Sequence, residues 1–449
     1  MFYDVIVIGA GLAGLMAAEA AQSQGARVLV LARGMGSLPL TTGCIDGLGY
    51  FPRTTNIPLS SPLSALPQLK EDHPYHPYAI VGQEKIMLAM AHFQELGQVI
   101  GLPYSGTFAS TLLIPTPLGT YHPTCLVPET MNQGNLSIPG PVLLLGFRGL
   151  KDFSPFLAAE NLNILHSQGK IASSFRAEVL EKLDLGGKAM NGLNLARAFD
   201  GEDFRNAFIK IVRPLLKSGD RLALPAVLGF HSPGQVLADL KKKLQANVFE
   251  IPMPPPSVPG IRLFRKLQIY LQGKGVRIIL GLSTLDPRKE SKRLLGFALG
   301  FSKKSPIYKA SAIVLATGKF VGGGLDSDRG RIFETLLDLP IKYPKNRREW
   351  FKPRLLAAEG QPFNCFGVEV NENLQPVDPE GRVIYSNLFA AGAIIAHGDS
   401  MSEKSGGGIA ISTGYLAGKL AAGFAGKNKF TTENTEITEI TEMGLKPKD

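Results

Sequence analysis

The chain has 449 residues, 44% hydrophobic and 19% charged, which suits a folded protein of two or three domains and excludes a disordered or fibrous one. Its formal net charge is +10, yet Lys241-Lys242-Lys243 is the only tight run of three lysines; no basic stripe points to nucleic acid, and an anionic substrate or a weak pull toward an acidic membrane surface suits the charge better. Three scattered cysteines, Cys44, Cys125 and Cys365, exclude a four-cysteine iron–sulfur cluster held by this chain and a disulfide framework, and they favour a reducing compartment.

The N-terminus opens on Asp4-Val5-Ile6-Val7-Ile8, then Gly9-Ala10-Gly11-Leu12-Ala13-Gly14, then an alanine-rich run to Ala21. A β-branched strand, a Gly-x-Gly-x-x-Gly turn and a helix make a nucleotide-phosphate site. Gly9 permits the turn, Gly11 admits the phosphate to the backbone, and Gly14 lets the helix pack on the strand. The helix dipole and its first N–H groups favour the anion. No basic region precedes the apolar run, so it reads as a strand and not as a leader. A second strand spans Ala26 to Leu31. An acid normally follows and binds an adenosine ribose. Here Ala32-Arg33 stand in its place. FMN, which has no adenosine, therefore suits the site better than FAD. NADP stays open, because Arg33 can meet a 2′-phosphate.

Residues 34–47 form a Gly/Thr loop, a candidate second cofactor contact through Thr42 and Gly43. Residues 52–78 read as Pro-rich and irregular. His73 and His76 lie there, too few for a metal site, and no metal is expected. Residues 79–98 read as a helix with Ile86, Met90, Phe93 and Leu96 on one face. Short strands broken by prolines fill 111–128. Strand 142–147, helix 155–166, strand 222–227, helix 235–244 and strand 247–249 compose a second α/β lobe without a glycine fingerprint. Pro252 to Gly260 reads as a stiff connector. Helix 261–272 and strand 276–280 follow. Strand Ile313 to Ala316 then ends in Thr317-Gly318. Residues 332–355 read as irregular. A last apolar strand, Leu388 to Ala391, ends in Gly392. The helix from Ile409 to Ala421 is opened by Ser405-Gly406-Gly407-Gly408, whose bare N–H groups suit an electron-rich ring edge. No apolar run reaches 18 residues, so no membrane-spanning helix is expected.

These elements predict an α/β fold, a Rossmann-like flavin-binding domain of glutathione-reductase type with an inserted second α/β lobe. The expected divisions are 1–100, 256–330 and 366–426 for the flavin domain and 101–255 for the substrate or partner lobe. A cap or partner segment occupies 331–365. Residues 427–449, with their Thr-Glu beat, form a disordered tail.

The order of the N-terminal fingerprint, the Ala316-Thr317-Gly318 strand end and the Ala391-Gly392 strand resembles two-dinucleotide-fold flavoproteins. Gly146-Phe147-Arg148-Gly149-Leu150-Lys151-Asp152-Phe153, Leu224-Pro225-Ala226-Val227-Leu228-Gly229, Val248-Phe249-Glu250-Ile251-Pro252 and Pro255-Pro256-Ser257-Val258-Pro259-Gly260 are similar to the B-type subunit of the anaerobic glycerol-3-phosphate dehydrogenase family. Thr41 to Asp46 resembles a Ser/Gly-Asp loop of that family, with Cys44 where Ser is common, a departure that touches the flavin contacts. The resemblance runs from residue 1 to about 424. It implies non-covalent flavin and an sn-glycerol 3-phosphate oxidation that feeds quinone. It also implies two partners, an FAD-containing A-type subunit and an iron–sulfur C-type subunit, which hold the chain peripherally on the inner face of the cell membrane. His397, Asp399 and Lys404, between the last strand and the Gly-rich helix, are the catalytic candidates, with His397 as base. Arg148, Arg262 and Lys319 are the phosphate candidates. A flavin scaffold that only relays electrons is the alternative, since no complete catalytic constellation stands out.

Overall fold

The computed structural model describes residues 1–442 except Lys182 and 301–305, with side chains described to Lys427. The first strand, β1 (Phe2–Ile8), is buried from Tyr3 onward. It lies between β2 (Val28–Leu31) and the strand Ile307–Leu315, parallel to both. Arg277–Ile279 extends the sheet parallel to β2. On the far side of Ile307–Leu315, the strand Arg293–Leu299 pairs antiparallel with its first half. Leu388–Ala390 pairs parallel with its second half. Asn387, fully buried, ties these three strands together: its side chain donates to the carbonyls of Leu294 and Ser311 and accepts from the Leu294 amide.

α1 (Leu12–Gln22) and the C-terminal helix Gly406–Glu442 cross in backbone contact. A Cβ at Gly414 would stand 2.4 Å from the Ala13 carbonyl oxygen, and one at Gly418 2.3 Å from that of Ala17. Only glycine permits that approach. It holds the last helix against α1.

A second sheet of four parallel strands runs in the order Asn247–Ile251, Arg221–Pro225, Gly140–Phe147, Ser173–Leu180. It has its own core, with Leu143, Leu144, Phe199, Phe208 and Phe249 fully or almost fully buried. The chain is thus α/β with a second α/β lobe, as its pattern predicts.

Several local expectations change. Helix Pro62–Asp72 stands in the stretch read as irregular: Ser61 caps it and Pro62 occupies its first turn, where no N–H is needed. The helix expected over 79–98 is two, Pro77–Val81 and Gln83–Val99, parted by Gly82 at φ 83°. The connector Pro252–Gly260 ends early, because the next helix begins at Val258 under a Ser257 cap and tolerates Pro259 in its first turn. Strands Ser173–Leu180, Leu285–Glu290 and Arg293–Leu299 and helices Gly192–Phe199 and Glu202–Val212 were not anticipated. The last helix continues to Glu442, into the stretch read as a disordered tail; residues 443–449 lie outside the described residues. No helix among the described residues is long and apolar enough to cross a membrane.

A buried ion pair ties the second sheet to the helix Val258–Gly273. Glu250, on a strand of the second sheet, receives both Arg262 Nη atoms at 2.8 and 3.0 Å, and it also accepts the Leu228 amide at 2.6 Å. Both partners are buried. Removing one leaves an uncompensated charge in low dielectric. Arg262→Ala should therefore cost about 3–5 kcal/mol, read as a lowered urea midpoint.

Candidate flavin site

The glycine turn between β1 and α1 divides into two kinds of position. Gly9 has φ 113°, and a Cβ there would stand 2.3 Å from the Ala316 carbonyl oxygen; at Gly14 it would stand 2.0 Å from that of Gly9. These two glycines are demanded by the protein itself. Gly11 has φ −72°. Its Cβ would meet nothing closer than Gly36 Cα at 4.0 Å. The space over Gly11 is a cradle that the protein does not use, which fits a phosphate approaching the backbone.

Thr317 and Gly318 close the other side of this turn. Thr317 Oγ1 is buried without a hydrogen-bond partner. Gly318 takes φ 72°. The hydroxyl faces Gly324, where a Cβ would stand 2.5 Å away, and a buried hydroxyl without a partner fits a bound group carrying oxygen acceptors. Arg33 is exposed, and its guanidinium lies against the Gly322–Gly324 turn. Gly392, at φ 74°, faces α1, where a Cβ would meet Ala13 Cβ at 2.6 Å.

The Thr41–Gly47 loop is stapled from two sides. Ile45 exchanges backbone hydrogen bonds with Leu126 and accepts from Thr124 Oγ1 at 2.9 Å. The Gly408 amide donates to Asp46 O at 2.8 Å, and Tyr78 Oη donates to Gly47 O at 2.5 Å. Glycines 407 and 408 are needed for this packing: a Cβ on Gly407 would reach the Asp46 amide at 2.9 Å, and one on Gly408 would strike Tyr78 Oη. Two helix-start amides, of Gly406 and Gly407, have no acceptor among the described residues. Ser405 is taken up by Glu403 at 3.0 Å. Thr42 caps its own loop through the Cys44 amide at 3.1 Å, and Gly43 packs on Pro259. Cys44 turns into a small core, Sγ 3.6 Å from Met131 Sδ, where burial pushes its thiol pKa up. Its expected influence on flavin contacts is therefore not direct.

A buried polar network lies behind the helix start. Asp399, wholly buried, accepts from Asn364 Nδ2 at 2.9 Å and the Ser402 amide at 3.1 Å, and Arg53 Nη1 stands 3.5 Å from its other oxygen. Asp399 thus caps the short helix Ser400–Glu403. Glu403 pairs with His76 at 3.2 Å, and burial, which raises its pKa, is outweighed by His76, so the carboxyl sits below its ordinary value. Arg53 also donates to Cys365 Sγ at 3.1 Å. Arg53, His76, Tyr78, Asn364 and Glu403 are residues that sequence reasoning misses. One signal was present: His76 before Pro77 is a helix cap, its Nδ1 accepting the Tyr78 amide. No group of three or more His, Cys, Asp or Glu among the described residues is placed to hold a metal.

The phosphate candidates separate. Arg148 is exposed and paired with Glu181 on the second lobe, and Arg262 is consumed by Glu250, so neither offers a free cation. Lys319 lies in the polar network. Its Nζ donates to the carbonyls of Asn364 and Gly398, the stem half-buried and the ammonium enclosed. His397 is the candidate base that the geometry disfavours. Nε2 is 3.1 Å from Glu369, the ring lies 5.7 Å from Tyr75, and the space beside it is about 10 Å³, one water at most. Burial lowers its pKa. Lys404 lays its stem against Gly49, and its ammonium has no partner among the described residues.

Two outcomes check this geometry. Gly11→Ala should leave the stripped protein's melting temperature unchanged while weakening flavin binding in a titration. Gly14→Ala should instead destabilise the stripped protein by about 1–3 kcal/mol through overpacking. For Lys319, burial lowers the pKa from 10.5 to about 8, against the pull of Cys365, Asp399 and Glu403. Between those values the unfolded chain holds a proton that the folded chain has released, so this group makes stability rise with pH from about 8 to 10.5. Lys319→Met should flatten that rise in denaturant midpoints taken across the window.

The FAD binding domain family model matches residues 4–409. A Halobacterium salinarum protein, named as the probable B-type subunit of an anaerobic glycerol-3-phosphate dehydrogenase, is 34% identical, over 93% of this chain and 97% of its own. The Vibrio cholerae protein named as the same subunit is 29% identical, over 93% of this chain and 96% of its own. A 3-ketosteroid dehydrogenase structure from Rhodococcus jostii covers 94% of this chain and 97% of its own at 15% identity, with a TM-score of 0.38, too distant to carry an argument. On those matches the chain belongs to the FAD-binding-domain flavoproteins and, among them, to the family of B-type subunits of anaerobic glycerol-3-phosphate dehydrogenase.

Proposed function

We propose that this chain oxidises sn-glycerol 3-phosphate to dihydroxyacetone phosphate at a bound flavin and passes the electrons through partner subunits to quinone. The observation that carries the reading is the helix start at Gly406, where two unused amides adjoin Lys404, a cation without a partner among the described residues. Free amides suit a ring carbonyl or other acceptor, and an unpaired ammonium suits a phosphate monoester. The names borne by the relatives select the glycerol phosphate. A bound flavin supplies a two-electron acceptor for hydride.

The protein's own groups do the rest. Gly11 and the α1 amides hold the cofactor phosphate. Gly406 and Gly407 orient its ring. Lys404 binds the substrate phosphate. Lys319, Arg53, Asp399 and Glu403 hold the loop Gly398–Ser405 in shape by filling the space behind it with paired charges. Cys44, Cys125 and Cys365 do not form a cluster, so electrons leave through another chain. An FAD-containing A-type subunit and an iron–sulfur C-type subunit meet that need, and they hold this chain at the inner face of the cell membrane.

We further propose FMN over FAD. Ala32 is buried and carries no carboxylate for a ribose diol. Its carbonyl and that of Arg33 accept the amides of Leu282 and Gly281 at 3.3 and 3.2 Å. Arg33 donates and cannot accept.

Acid release of the flavin followed by chromatography should give FMN; FAD alone would overturn that assignment. Mixed without oxygen, the flavin-loaded protein should lose its visible band on adding glycerol 3-phosphate. A band that persists would leave a flavin scaffold or electron relay as the better reading.

A further inference from the structure

The proposed reaction needs a proton acceptor, and His397 is boxed in beside Glu369. A different histidine is better placed. His122 sits on the strand Tyr121–Thr124, opposite Ile114 of Leu112–Pro115. Its Nε2 is 2.8 Å from Asp46 Oδ1. A carboxylate only accepts, so in the neutral ring Nε2 carries the proton and Nδ1 keeps its lone pair. Nδ1 has no partner among the described residues, and the side chains of His122 and Asp46 are 15% and 22% exposed. The pair is therefore sheltered yet reachable.

Its position is held from both sides. Two residues on from His122, Thr124 Oγ1 donates to Ile45 O at 2.9 Å, and the Cys125 amide reaches the same carbonyl at 3.1 Å. Asp46 is pinned by the Gly408 amide through its own carbonyl. The Asp46 backbone also packs against Gly407, one of the two helix-start positions with an unused amide. Gly49 touches both Pro123, next to His122, and the Lys404 stem. An imidazole oriented by a carboxylate whose own backbone packs against the helix start at Gly407 is pre-organised for alcohol oxidation.

We propose that His122, oriented by Asp46, accepts the hydroxyl proton of the alcohol substrate. This rests on the glycerol phosphate reading above. With flavin bound, the C2–H bond would break with its electron pair leaving as hydride to that two-electron acceptor. The O–H bond breaks with its pair forming the C=O bond of dihydroxyacetone phosphate, and the proton passes to His122 Nδ1. Asp46 is a positioning residue: it sets the tautomer and stabilises the imidazolium.

The test joins two readouts on the flavin-loaded protein. The first, independent of activity, is nitrogen-15 NMR of histidine-labelled protein, with the His122 signals assigned by their loss in His122→Gln. The Nε2–H tautomer should dominate in the wild type and give way to a mixture in Asp46→Asn. A dominant Nδ1–H tautomer, or one indifferent to Asp46→Asn, would overturn the proposal. The second is the anaerobic rate of flavin bleaching by glycerol 3-phosphate. His122→Gln should slow it about 10²–10⁴-fold at full flavin content, and Asp46→Asn should slow it less without raising the substrate concentration needed. A wild type that bleaches while His122→Gln keeps pace overturns this inference alone. A wild type that does not bleach overturns the substrate reading and this role with it.

Discussion

Everything at this site depends on how closely three backbones approach one another at the first turn of the chain. Gly9 meets the Ala316 carbonyl, Gly14 meets the Gly9 carbonyl, and Gly414 and Gly418 of the last helix meet the carbonyls of Ala13 and Ala17. None of these contacts tolerates a Cβ. Because they hold, α1 and the last helix run side by side in backbone contact.

Around that junction the protein spends charge on shape. Asp399, Glu403, His76, Arg53 and Lys319 form an enclosed set that faces its own members and local carbonyls. Buried charges in such sets are weak sources of stability but strong determinants of geometry, because any other arrangement leaves a charge unpaired. The segment His397–Ser405 needs such support: Lys404 takes a left-handed φ of 52° and His397 one of 73°. The same logic ties the second sheet to the helix Val258–Gly273 through Glu250 and Arg262. A cation that looks like a phosphate ligand in sequence is there a clamp.

The division between clamp and unpaired cation separates candidates that look alike in sequence. Glycine positions were legible because a glycine fingerprint reports backbone geometry, which is local. The parallel strands beside them were legible because they are buried on both faces and read as continuous apolar runs. Strands such as Ser173–Leu180 and Arg293–Leu299 were not, since their mixed burial blurs the pattern. Helix Pro62–Asp72 was hidden by its prolines, one of which is a normal first-turn residue.

Residues 4–31 thus carried their own local structure: strand, glycine turn, helix and strand follow from the order of β-branched residues, glycines and alanines. Which polar side chains serve chemistry was decided only in three dimensions. Asp46 and His122 are 76 positions apart, and Glu403 and His76 are 327 apart. An isolated histidine in sequence carries no sign of its partner, because a side-chain pair across such separations is set by the packing of whole elements. Arg262 and Lys404 look alike as letters; burial against Glu250 silences the first, and the second has no side-chain partner among the described residues.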